Sequence, residues 1–146
     1  MTEKAIQIRL LSTIFQSATQ VVAWLGPEDQ SQNGDIVIKN LKSITDFARQ
    51  SKSTYWCTFL DSIKTKNESR GGNIDTCADL DAFLARPWFK RVWIVQELVL
   101  PTKVTLVCGK STIDWDEFFE AIQLCEKGLN SEGGHQLDDV LVFQHA

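Results

Sequence analysis

Arg86-Pro87-Trp88-Phe89-Lys90-Arg91-Val92-Trp93-Ile94-Val95-Gln96-Glu97 is the densest aromatic and apolar stretch of the chain, and its reading decides the fold. Pro87 suits the first position of a helix, where its missing N–H costs nothing and its fixed φ fits the turn. Phe89, Val92, Trp93 and Gln96 then fall on one face at i, i+3, i+4 and i+7, while Ile94, Val95, Leu98 and Val99 widen the apolar stripe nearly all round. A single buried helix over Pro87 to Leu100, stopped by Pro101, is expected. The rival strand reading has β-branched and aromatic residues in Val92 to Val95 but no period-2 alternation. Glu97 stands out on this helix, because its neighbours at i−4, i−3, i+3 and i+4 are Trp93, Ile94, Leu100 and Pro101, and none can pair with it. A carboxylate so placed needs a tertiary partner, solvent from a cleft or a raised pKa. It is either tied down by a group from elsewhere or part of a site.

Working outward, Lys103 to Cys108 is an apolar run closed by Gly109 and reads as a strand. Asp114 with Glu117 three residues on resembles a capping box. It opens a last helix with Trp115, Phe118, Phe119, Ile122 and Leu124 or Cys125 inward, ending at Gly128. Upstream, Thr2 to about Gln20 reads as an amphipathic helix with Leu10, Leu11, Ile14 and Phe15 inward. Val21 to Leu25, closed by Gly26-Pro27, reads as a buried strand. Asp35 caps a helix over Ile36 to Gln50, and a further helix starts at Asp75 or Thr76. Between them, Ser51 to Asn73 reads as a partly docked loop. Two strands emerge, both apolar enough to be buried on two faces, so the expected class is α/β with a small parallel sheet flanked by helices. A two-stranded sheet leaves edges unpaired.

The 146 residues fit one domain, and a net charge of −4 with no basic tract argues against nucleic acid as a partner. No apolar run is long enough to span a bilayer, which leaves an intracellular, cytoplasmic protein with no membrane partner as the expectation. Cys57, Cys77, Cys108 and Cys125 have neither metal-pair nor disulfide-scaffold spacing, so they read as small buried hydrophobes and no metal is expected.

The opening stretch resembles the signature block of the fungal heterokaryon-incompatibility (HET) domain, R-P-W-x-x-R-[VI]-W-x-x-Q-E. Arg86, Pro87, Trp88, Arg91, Val92, Trp93, Gln96 and Glu97 meet every fixed position. Gln7 to Gly26 and Val104 to Trp115 are similar to the flanking passages of that family. The resemblance implies a signalling or interaction module of fungal nonself recognition and regulated cell death, with protein partners or self-association. It also implies two upstream strand blocks, not found here. The expectation is therefore a partial HET domain over residues 1–128, truncated at its N-terminus, with a tail over 129–146 that reads as flexible. At fold level the family resembles Toll/interleukin-receptor-like domains, several of which cleave NAD with a helix-borne Glu. That likeness implies an incomplete three-layer arrangement in which Glu97 is the catalytic residue and NAD the substrate, with Trp93 walling the ligand pocket and Arg91 meeting a phosphate. Core packing for Trp93 and surface ion-pairing for Arg91 are the competing readings, and an inactive remnant is the third reading of the chain.

Overall fold

The computed structural model describes residues 3–28, 34–50, 76–91 and 94–131. Helix α1 (Glu3–Ser17) leads into strand β1 (Val21–Trp24), and α2 (Gly34–Gln50) and α3 (Thr76–Leu84) follow. A 3₁₀ turn over Pro87–Lys90 precedes α4 (Ile94–Val99), then β2 (Val104–Cys108), β3 (Ser111–Asp114) and α5 (Trp115–Ser131). The strands form one sheet in the order β1-β2-β3. β1 runs parallel to β2 with Val21 opposite Val104, and β3 turns back antiparallel with Leu106 opposite Ile113. The class is therefore mixed α/β with helices flanking a small sheet.

The purely parallel, two-stranded sheet expected from the sequence is corrected by β3. Its hairpin turns through Gly109-Lys110, where Gly109 takes φ +57°. A positive φ at the first central residue is what the tight hairpin turns need, because their twist matches that of the strands. Asp114 also departs from the capping-box reading: it ends β3, accepting from the Thr105 hydroxyl at 2.9 Å and pairing with Lys103 at 3.3 Å. The Thr105 hydroxyl in turn accepts from the Gln20 amide at 2.9 Å, so a polar chain stitches the start of β1 to β2 and β3. Glu117 faces α2, accepting from the Thr45 hydroxyl at 3.2 Å. The last helix continues past Gly128 to Ser131.

Neither strand is buried on both faces, the second correction. β2 alternates, with Val104, Leu106 and Cys108 inward, while β1 buries Ala23 but leaves Val22 61% and Trp24 56% exposed. Alternation of this kind marks a sheet with one covered face. That face is covered by α2 and α5, which pack on each other and on β3. Val37, Leu41 and Ile44 of α2 meet Phe118, Ala121 and Ile122 of α5 in the core cluster. α1 starts one residue after its expected cap and buries none of its residues: Leu10, Leu11 and Ile14, expected inward, lie exposed. The packing of residues 51–75 and of the 132–146 tail lies outside the described residues.

Candidate functional site

The signature stretch is not one helix. Phe89 N–H bonds the Arg86 carbonyl and Arg91 N–H the Trp88 carbonyl, the i→i+3 pattern of a 3₁₀ turn. Arg91 then adopts an extended conformation, φ −77° and ψ 133°, before α4 begins at Ile94. The turn carries two core aromatics. Trp88 and Phe89 are both buried in an aromatic cluster, Trp88 edge-on to Phe89 at 5.0 Å between centroids and Phe89 stacked on Phe118 at 5.8 Å. Both side chains thus join the core from consecutive positions of the turn.

The same break gives Glu97 its partners. Trp88 Nε1–H donates to Glu97 Oε2 at 2.9 Å, and Arg91 Nη2 lies 3.1 Å from Glu97 Oε1. Residues six and nine positions apart do not meet on a straight α-helix. Here the 3₁₀ turn and α4 are separate elements, and their side chains meet at Glu97. Glu97 is only 8% exposed, so both its oxygens are satisfied inside the protein, whereas Arg91 keeps 55% of its side chain in solvent. Both carboxylate oxygens of Glu97 are met by groups from outside its helix. Its partners lay in the quoted stretch itself, hidden by the assumption of continuous helix. The ion pair of Arg91 matches the surface-pairing reading.

The remaining signature residues divide. Pro87 is exposed at the first position of the turn, and Gln96 is half-buried, its carbonyl accepting from Leu100 N–H at 3.4 Å. Val92 and Trp93 lie outside the described residues, so the pocket-wall and core readings of Trp93 both stand as expectations. Arg86 is the residue that sequence reasoning undervalued. It is 5% exposed, its Nη1 donates to the Leu25 carbonyl at 2.8 Å, and its guanidinium carbon sits 5.6 Å over the Phe83 ring. It thereby pins the loop after β1 to the end of α3. The signal available was its place at the head of a motif, next to a Pro that fixes the turn.

Around Arg86, burial pushes the Cys108 thiol up, partly offset by the guanidinium. Asp35, in the first turn of α2, is held below the ordinary carboxylate value by Lys39 and the Ser111 hydroxyl. Cys108 and Cys125 are both buried, as small hydrophobes would be. Among the described residues no helix is long and apolar enough to cross a membrane.

Comparison with known proteins bears directly on this stretch. The family model for heterokaryon incompatibility protein (HET) matches residues 1–97, ending on Glu97. Heterokaryon incompatibility protein 6, OR allele, of Neurospora crassa is 27% identical over 126 residues, which cover 76% of this chain and 18% of that protein. The chain thus spans under a fifth of the length of that relative. No solved structure matches this chain. With two thirds of its length, including every signature residue from Arg86 to Glu97, inside the family match, the chain belongs to the heterokaryon incompatibility family.

Proposed function

We propose that the chain is a signalling and interaction module of fungal nonself recognition, acting in the cytoplasm through protein partners or self-association and feeding regulated cell death. The family supports the setting, and one structural observation carries the mode of action. Large apolar side chains stand exposed on α1 (Ile6, Leu10, Ile14), on the outer face of β1 (Val22, Trp24) and on α4 (Val95, Val99). Apolar surface on this scale is a mark of association. β1 adds a second feature of the same kind, since β2 is its one strand neighbour among the described residues and its other edge offers backbone N–H and C=O groups to a partner.

The Toll/interleukin-receptor-like arrangement belongs to this proposal, supported by the parallel β1·β2 pair with helices packed on it. NAD cleavage by Glu97 is the rival within it, and the geometry weighs against that rival. A carboxylate that stabilises a ribosyl cation must face the substrate, whereas both oxygens of Glu97 already face Trp88 and Arg91.

Sedimentation velocity of the purified chain over a range of concentrations tests the module reading, with Leu10→Ser and Trp24→Ser beside wild type. Concentration-dependent association that either substitution reduces is the expected result. A dye-silent monomer that captures no partner through this face refutes it. Nicotinamide release from NAD, expected to be absent in wild type, is the matching test of the rival.

A further inference from the structure

Arg86 holds a charge that its described surroundings do not use up. Nη1 is occupied by the carbonyls of Leu25 and, at 3.5 Å, Pro27, but Nε and Nη2 are buried with no hydrogen-bond acceptor among the described residues. Those two nitrogens make up the side-on edge of the guanidinium, whose parallel N–H groups match two oxygens of one anion. A buried cation with that edge unfilled is costly, and an anion across it removes the cost.

A second observation places the edge beside the start of α2. Nη2 lies 3.0 Å from the position a Cβ would take on Gly34, the first residue of the 17-residue α2. The opening N–H groups of a helix have no acceptor within it and carry the positive end of its dipole. Gly34 brings that end to the guanidinium because it has no side chain: a Cβ there would also stand 2.5 Å from Cys108 Sγ. The spot lies beyond the carboxyl ends of the parallel pair β1 and β2, joined where Gly109 N–H bonds the Gly26 carbonyl at 3.0 Å. Open α/β sheets take ligands at such ends.

We propose that the side-on edge of Arg86 and the opening turn of α2 bind a single phosphate group of a small phosphorylated ligand. Donors arriving from two directions suit the tetrahedral oxygens of phosphate better than a flat carboxylate. Two acids stand close by: Asp35, whose carboxylate is taken up by Lys39 and Ser111, and Glu28, whose backbone lies against Gly109. Their negative field favours one phosphate over a polyphosphate chain. The site is independent of the association proposed above.

The test is nitrogen-15 NMR of the 146-residue chain, following the Arg86 Nε–H and the Gly34 and Asp35 amides. Sodium phosphate and adenosine 5′-monophosphate are titrated separately against sodium chloride at equal ionic strength. Saturable shifts of these resonances by phosphate are expected, with affinity at least about tenfold weaker in Arg86→Lys, since an ammonium cannot reproduce the two-pronged contact. Gly34→Ala should weaken it similarly by filling the approach. Tighter binding of the nucleotide marks its phosphate as the occupant, and equal binding marks free phosphate. Should Arg86→Lys not fold, the wild-type titration decides alone: shifts no different from those of chloride overturn the proposal. An Arg86 Nε–H resonance that moves on Glu28→Gln in phosphate-free buffer, with no response to phosphate in wild type, also overturns it by showing an internal carboxylate in the place.

Discussion

If Glu97 is a structural tie, removing both partners together must cost less than the sum of removing each alone. Trp88→Phe keeps most of the buried ring area but deletes the Nε1–H donor, leaving Glu97 Oε2 unmet at 8% exposure. A hydrogen bond to a charged group contributes about 1.5–3 kcal/mol, and the smaller ring adds a packing loss of about 1 kcal/mol. Glu97→Met retains the side-chain length and leaves the indole N–H unmet instead, at about 1–3 kcal/mol. Losing Arg91 as a partner adds little, because an ion pair with one half-exposed member contributes about 0–1 kcal/mol. In the double variant neither polar group is stranded, so the two costs should fall short of additivity by about 1.5–3 kcal/mol. Urea denaturation of the four proteins at one pH measures this coupling, provided the slopes agree. Costs that add to within about 0.5 kcal/mol would refute the tie. Glu97 would then be free for another role.

Further outcomes follow from the packing. Phe83→Ala should cost about 3–5 kcal/mol in the same denaturation, because Phe83 is fully buried against Phe89 and Phe118. Gly34→Ala should cost about 1–3 kcal/mol through the clash with Cys108 Sγ and Arg86, and Cys108→Ala beside it should restore part of the loss. Asp35 and Asp114 have carboxyl pKa values lowered in the fold, Asp35 mainly by Lys39 and Asp114 mainly by the Thr105 hydroxyl. Their contribution is therefore present above the unfolded-state value of about 3.9 and is lost as pH falls through the lower folded values. Asp35→Asn should flatten that acid limb of a stability–pH curve, and an unchanged limb would exclude Asp35 from it. Native thiol titration should find Cys108 unreactive at neutral pH, since burial both covers it and raises its pKa.

Where a single physical signal dominated, the sequence was readable. The spacing of Val37, Leu41 and Ile44 gave α2, that of Trp115, Phe118 and Ile122 gave α5, and the apolar run before Gly26-Pro27 gave β1. β3 was not readable because Ser111-Thr112-Ile113-Asp114 has one large apolar residue and its turn, Gly109-Lys110, lacks the usual Asn-Gly or Asp-Gly pair. The break at Arg91 carries no Gly or internal Pro, so no local breaker marks it in the sequence. α1 has a clear apolar stripe, yet periodicity alone cannot say whether the body of the domain covers it. At the candidate site, Glu97 could be singled out by its apolar neighbours, but its partners depended on the break, and the unfilled edge of Arg86 depended on Gly34 arriving from far away in the chain.

The parallel pairing of β1 with β2 also has a consequence in time. Gln20 and Thr105, whose side chains bond across that pair, are 85 positions apart, so the long connection must be closed before the contact stabilises anything. The β2–β3 hairpin and α5 follow one another directly and can organise locally. Non-local strand pairing slows folding, and during synthesis β1 leaves the ribosome well before the strand it needs. In that interval Ala23 and Leu25, buried in the finished fold, stand open beside Val22 and Trp24, which stay exposed throughout, so the N-terminal segment is a stretch for a chaperone to cover.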